Sequence, residues 1–237
     1  MKLAIMQPYL FPYLGYFSLL GSVDRFVFYD DVDFIKSGWI NRNRLYLSGD
    51  VRYFTIPLLG ASSNLKINEI KVQPVKVWQR KIVQSIRQSY SKAPYFKQTI
   101  DLVEDVFSVG CDNISEYATH SVMKTTERLG LNVDFVKSSS VYNNQELSGV
   151  ARVVDICLKE RACEYLNLPG GQELYKESDF SRNGIKLGFV EAEIKSYPQF
   201  DRAFAPGLSI IDVLMFNCVA EARDLIGVKH DSTKQGK

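Results

Sequence analysis

Histidine is nearly missing: His120 and His230 are the two in 237 residues. A paired-histidine mechanism or a multi-histidine metal site needs imidazoles brought together, and His230 stands in a polar tail, so both are nearly excluded. Cysteine is sparse as well. Cys111, Cys157, Cys163 and Cys218 contain no C-x-x-C pair, which rules out a zinc ribbon and a thioredoxin-type motif. Isolated thiols in a chain of this length read as reduced cysteines in a cytoplasmic protein. There is no run of 18 apolar residues, so no membrane span is expected, and the run Leu3–Met6 before Pro8 is too short for a signal peptide. An excess of one charge is lacking too. The 29 basic and 27 acidic side chains leave +2, which fits neither a nucleic-acid-wrapping protein nor a polybasic membrane binder.

What the chain has is apolar bulk, 46% of residues, and 13 tyrosines. That composition excludes a disordered chain. Lys2–Met6 and Arg25–Tyr29 read as short buried strands flanking a helix from near Pro12 to Leu20, the dimensions of a βαβ unit with parallel strands. Strands at 41–48 and 52–59 flank the turn Ser48-Gly49-Asp50, and 67–72 is expected to add another. Trp78, Ile82, Ile86 and Tyr90 recur every four residues, one stripe of a helix. Further helices are predicted over 98–109, 114–129 and 150–161, with Gly130 as a C-cap, and strands over 131–136, 165–168 and 185–189. A last helix starts at Ser209, where Asp212 three residues on suggests an acidic capping box. The tail from Lys229 reads as frayed. The sum is one α/β domain over 1–237: three layers, Rossmann-like, with a mostly parallel sheet and a helical insertion at about 74–130.

Four constellations carry chemical potential. Gln7-Pro8-Tyr9 through Tyr13-Leu14-Gly15-Tyr16 follows a strand and opens a helix, the place where parallel sheets bind ligands. Tyr9, Tyr13 and Tyr16 can stack on a base or sugar, or else simply fill a core. Asp30-Asp31-Val32-Asp33 ends the second strand and offers a general base or a hydrated Mg²⁺ site, against the plain alternative of a solvated turn. In Trp39-Ile40-Asn41-Arg42-Asn43-Arg44, an extended backbone puts Arg42 and Arg44 on one face, suited to a diphosphate, and Asn41 and Asn43 on the other. Pro169-Gly170-Gly171-Gln172-Glu173 follows a later strand, and its glycines permit close backbone approach. Tyr197-Pro198 is a weaker feature of the same kind, and His120 reads as an ordinary helical histidine.

Taken together, Met6-Gln-Pro-Tyr-Leu-Phe-Pro-Tyr-Leu-Gly-Tyr-Phe17, Tyr29-Asp-Asp-Val-Asp-Phe-Ile-Lys36, Gly38-Trp-Ile-Asn-Arg-Asn-Arg44, Pro169-Gly-Gly-Gln-Glu-Leu-Tyr175 and Leu208-Ser-Ile-Ile-Asp-Val-Leu-Met-Phe216 resemble the WbqC-like family over nearly the whole chain. Asp33 departs from the glutamine usual there. The resemblance implies a bacterial protein of O-antigen or other surface-polysaccharide clusters, acting on an activated, nucleotide-linked sugar. A looser resemblance, of the strand-helix-strand start, is to the HxGH nucleotidylyltransferases and pantothenate synthetase. There two histidines hold ATP phosphates, and here Tyr13 and Tyr16 stand in their places. Tyrosine carries no positive charge at neutral pH.

The resulting expectation is an acyl or aminoacyl transferase on an amino sugar. Asp30 or Asp31 would take the amine's proton, and Arg42 and Arg44 would hold the diphosphate. Gln7, Tyr9, Tyr13, Tyr16, Trp39, Asn41, Glu173 and Tyr197 would line the site, and Gly170-Gly171 would close it. No resident cofactor is assigned beyond an optional Mg²⁺. The partners are the sugar and an acyl donor, with no nucleic acid; the oligomeric state stays open. An ATP-dependent nucleotidyl transferase or amide ligase, and a non-catalytic sugar-binding scaffold, are the alternatives.

Overall fold

The computed structural model describes residues 1–193 and 195–227. The chain opens with β1 (Lys2–Met6), α1 (Leu14–Leu20) and β2 (Arg25–Phe28), followed by the hairpin β3 (Arg42–Leu47) and β4 (Asp50–Thr55). Ser48 and Gly49 make the two-residue turn with positive φ at both, as the right-handed twist of the flanking strands requires. Pro57 interrupts the next extended run, and Leu58–Leu59 (β5) pairs separately with Lys71–Val72 (β6). The strand expected over 67–72 is thus mostly a 3-10 turn, Ile67–Glu69. Then come α2 (Val75–Tyr90), α3 (Phe96–Phe107), α4 (Ile114–Leu129), β7 (Asp134–Val136), α5 (Gly149–Lys159), β8 (Glu164–Asn167), α6 (Glu177–Ser181), β9 (Lys186–Phe189), α7 (Ile210–Phe216) and α8 (Val219–Ile226). The single last helix expected from Ser209 is two, separated at Asn217-Cys218. The tail from Lys229 lies outside the described residues.

β1 is the centre of a five-stranded parallel sheet of order β7-β2-β1-β8-β9. Numbered by chain order within that sheet, this is 3-2-1-4-5, and the direction of winding reverses between β1 and β8. Strand alternation sorts the side chains into two layers. Ala4, Phe26, Phe28 and Leu166 join the apolar cluster with α1 to α4, α7 and α8. Leu3, Ile5, Val27 and Tyr165 face the smaller cluster with α5 and α6. The result is a three-layer, Rossmann-like α/β architecture. The stripe Trp78, Ile82, Ile86 and Tyr90 is buried, and Gly130 closes α4 in the left-handed conformation.

The loop after β1 is the most constrained backbone in the fold. Phe11 has φ +41°, a region costly for a bulky residue unless its surroundings impose it. They do. The Phe11 N–H donates to Ser121 Oγ at 2.9 Å, and its carbonyl accepts from Ser209 Oγ at 2.7 Å and Asn43 Nδ2 at 2.9 Å. Asn43 also reaches the Leu10 carbonyl, at 3.1 Å, and the Ile210 N–H donates to the Pro12 carbonyl. With Phe11 turned this way, α1 begins at Leu14 rather than near Pro12. One bend thereby ties β3, α4 and α7 to the end of β1. Asn43→Ala leaves two buried carbonyls short of a donor. It is expected to lower stability by about 1–3 kcal/mol, read as a drop in the urea midpoint at unchanged slope.

Candidate functional site

In open parallel sheets, ligands bind beyond the carboxyl ends of the strands where the winding reverses. A cavity of about 150 Å³ occupies that position. Tyr13 and Gly15 border it from the start of α1, Pro169 from the turn after β8, Ala192 and Tyr197 from the segment after β9, and Val213 from α7. Lys195 is the one charged residue among those lining it, and its exposed ammonium sits 3.3 Å from Glu193. A Cβ on Gly15 would fall 2.6 Å from Tyr13 Cε2 and 3.3 Å from Ala192 Cβ. Glycine there is what lets the Tyr13 ring lie across the helix start.

Residues 195–208 are fixed from below by a buried carboxylate. Asp212 is wholly buried and accepts three hydrogen bonds at 2.7 Å: from Tyr90 Oη, Tyr197 Oη and Gln199 Nε2. Tyr90 Oη in turn accepts from the Tyr46 N–H, and Gln199 Oε1 from the Ala205 N–H. Burial pushes the Asp212 carboxyl above its ordinary range, while the three donors pull the other way. Asp212 is therefore not a capping-box acid. Ser209 Oγ caps α7 by accepting from the Ile211 N–H, and the Asp212 side chain turns into the core. Arg44 supports the same segment, donating to the Gly207 carbonyl at 3.0 Å while its guanidinium lies 5.5 Å from the Trp39 ring.

A second cavity, of about 480 Å³, opens at the carboxyl ends of β2 and β7. Asp30, Asn68, Glu116, His120, Met123 and Lys137 border it. Asp30 is 4% exposed. Its Oδ1 accepts from Ser138 Oγ (2.7 Å) and the Ser139 N–H (3.2 Å), and its Oδ2 from Ser115 Oγ (2.9 Å). Burial raises its pKa against these donors. Burial likewise lowers that of His120. Asp31 points elsewhere. It forms a buried ion pair with Arg152 at 2.5 Å, and Gln145 and Ser139 also donate to it.

The single crevice expected from the sequence is thus divided. Tyr13 and Tyr197 share the first cavity, and Asp30 borders the second. Tyr16 is wholly buried, donates to the Gln7 carbonyl at 2.9 Å and packs on Tyr9 and Phe26, so it is core rather than a stacking platform. Arg42 and Arg44 do share a face of β3, but Arg42 is turned back on the Ser37 and Gly38 carbonyls and the Tyr53 ring instead of facing a diphosphate. Asn41 donates to the Ile56 carbonyl. Gln7 is half-buried at the end of β1, while Gly170 and Glu173 are exposed. Gly171 is buried because Asn167 lies against it, 2.8 Å from where a Cβ would be. Asp33 pairs with exposed Lys66 at 2.6 Å, so the three acids do not converge as a cation site. Among the described residues, no three His, Cys, Asp or Glu side chains are grouped to hold a metal. Sequence reading passed over Lys195 and Lys137, took His120 for an ordinary helical histidine and took Asp212 for a capping acid. Only Asp212 carried a signal, a lone acid inside the run Ile210-Ile-Asp-Val-Leu-Met-Phe216.

The WbqC-like protein family matches over residues 7–224. The chain belongs to that family. It is also 27% identical over 232 residues to the uncharacterized protein Rv1507c of Mycobacterium tuberculosis, an alignment covering 95% of this chain and 97% of that one. No solved structure matches. Among the described residues no helix is long and apolar enough to cross a membrane.

Two outcomes follow from Asp212. Tyr90→Phe removes one donor from a buried carboxylate and the acceptor of the Tyr46 N–H, at a cost of about 1.5–3 kcal/mol in a urea melt. The second outcome is a pH dependence. Because burial raises the folded pKa above the ordinary 3.8, the folded chain holds this proton to higher pH than the unfolded chain. The group's contribution is full below the unfolded pKa and declines as pH rises through the folded one. Asp212→Asn should therefore flatten stability against pH from about pH 4 upward, measured as urea midpoints across the series.

Proposed function

We propose that the chain is a transferase acting on an activated, nucleotide-linked sugar in bacterial surface-polysaccharide biosynthesis, joining an acyl or aminoacyl group to an amino sugar. Membership of the WbqC-like family points toward polysaccharide-related enzymes. The observation that carries the reading is the cavity at the reversal of the sheet, bordered by two tyrosines that the sequence had marked, Tyr13 and Tyr197. At about 150 Å³ and with an apolar lining it suits a sugar face or an acyl group alone, and the exposed Lys195 ammonium is the charge that would meet the diphosphate outside it.

Amide formation requires that the attacking amine lose a proton. The group at hand is Tyr197, whose hydroxyl already donates to Asp212. As the amine's nitrogen bonds to the acyl carbon and the leaving group departs, the amine proton passes to Tyr197 Oη and the phenol proton to Asp212. A carboxyl raised by burial is the better acceptor for that relay. This moves the proton acceptor from Asp30 or Asp31, which lie away from this cavity. Adenylyl transfer of the paired-histidine kind is disfavoured, because the hydroxyl of Tyr16 is committed to Gln7 in the core.

Titration calorimetry with a panel of UDP- and dTDP-linked amino sugars tests the reading. At least one should bind the wild type, and Ala192→Phe, which fills the cavity, should weaken it by about tenfold or more. Tyr197→Phe should reduce turnover about a hundredfold or more, beyond any loss of binding, while circular dichroism shows the chain still folded. If no panel member binds, or Ala192→Phe binds like the wild type, the assignment of this cavity is wrong.

A further inference from the structure

Asp30 poses a problem that the proposed transfer at the first cavity does not solve. It is a buried carboxylate, and buried charges are normally paired with a cation. Its neighbour Asp31 has Arg152. Asp30 has no ion-pair partner among the described residues, only two serine hydroxyls and one backbone N–H. A carboxylate offers about four acceptor positions, so one is left, and the carboxylate borders an open cavity. The countercharge is missing where a ligand has room to bring it.

The other walls narrow the ligand. Glu116, His120 and Lys137 border the same cavity, and among the described residues none of their side chains makes an ion pair or hydrogen bond. With His120 neutral, Asp30 and Glu116 outweigh Lys137, so the lining favours a cation over an anion. Among the described residues no three His, Cys, Asp or Glu side chains are grouped to hold a metal, and the apolar side chains of Val109 and Met123 suit an organic cation better than a hydrated ion. The Asn68 side-chain oxygen, both His120 nitrogens and the Lys137 ammonium remain for hydroxyl groups. Val109 and Met123 offer an apolar surface for the C–H face of a ring. The volume, about 480 Å³, is ample for a molecule of hexose size.

We propose that this cavity is a binding site for a small polyhydroxylated primary amine, of the amino-sugar type, with its ammonium on Asp30. Lys137 and His120 bind the hydroxyl groups, and Glu116 adds a second negative charge beside the ammonium. The site stands on its own residues and does not require the first cavity to be the transferase centre.

The probes are free glucosamine, glucose and N-acetylglucosamine, titrated into the intact chain and followed by calorimetry and by the His120 ring resonances. Glucosamine should bind about tenfold or more tighter than the other two, which lack the ammonium, and should shift the His120 signals. Asp30→Asn should erase the preference. Should that variant not fold, as judged by circular dichroism, Glu116→Gln should weaken glucosamine and Met123→Trp, which fills the cavity, should abolish its binding. Met123 borders this cavity and not the first, so loss of binding in Met123→Trp separates the two sites. Equal binding of the three sugars, no glucosamine binding up to about 10 mM, or full binding by Met123→Trp would overturn the proposal.

Discussion

The carboxylate of Asp212 is the point on which the site end of the molecule turns. Taking a charge out of water costs several kcal/mol unless hydrogen bonds replace the lost hydration. Here the replacements come from two separate stretches, Tyr90 at the end of α2 and Tyr197 and Gln199 in the segment after β9, while α7 carries the acid itself. None of the three donors can leave without exposing a poorly solvated charge. Among its described residues, the segment after β9 has little secondary structure of its own to hold it. Its position over the carboxyl ends of β1 and β8 is set by this carboxylate, by Gln199 reaching Ala205 and by Arg44 reaching Gly207. The wall that the segment after β9 gives the first cavity is thus held by one buried acid.

The clamp on Phe11 performs the complementary task from the other side. Its φ of +41° stores strain, and Ser121, Asn43 and Ser209 offset it with hydrogen bonds to both polar groups of the residue. Ser209 is also the cap of α7, three residues before Asp212. The loop after β1 and the segment after β9 are therefore referenced to the same helix. Tyr13 and Tyr197 reach one cavity because both are measured from α7, not because they are near in sequence.

Much of the architecture was legible in the residues. Strands of four or five apolar residues, the stripe from Trp78 to Tyr90, the Ser48-Gly49 turn and the Gly130 cap are local signals, and local physics decides them. The failures share a different cause. The alternation in β3 correctly puts Arg42 and Arg44 on one face, but a face does not say what lies opposite it, and Arg42 found the carbonyls of its own preceding loop. Tyr16 looked like a platform residue because its neighbours did. A helix seven residues long packed between the sheet and α8 buries all but one of its side chains. His120 looked ordinary because what distinguishes it is the company of Asp30 and Lys137, from two other elements far along the chain.

The scarcity of histidine beside an abundance of tyrosine takes on meaning at the two raised carboxyls. A tyrosine hydroxyl is a neutral donor on a large apolar body, so it can satisfy a buried acid and fill the surrounding space at once. Tyr90 and Tyr197 do this for Asp212. Asp30 meets the same need for donors with Ser115, Ser138 and the backbone of Ser139. Serine brings the hydroxyl without the ring. The electrostatic problem is solved in the same way, but the volume a tyrosine would occupy is left empty, and a cavity stands beside the carboxylate. Where this chain satisfies an acid with tyrosine it builds a wall, and where it uses serine it leaves room for something else to bind.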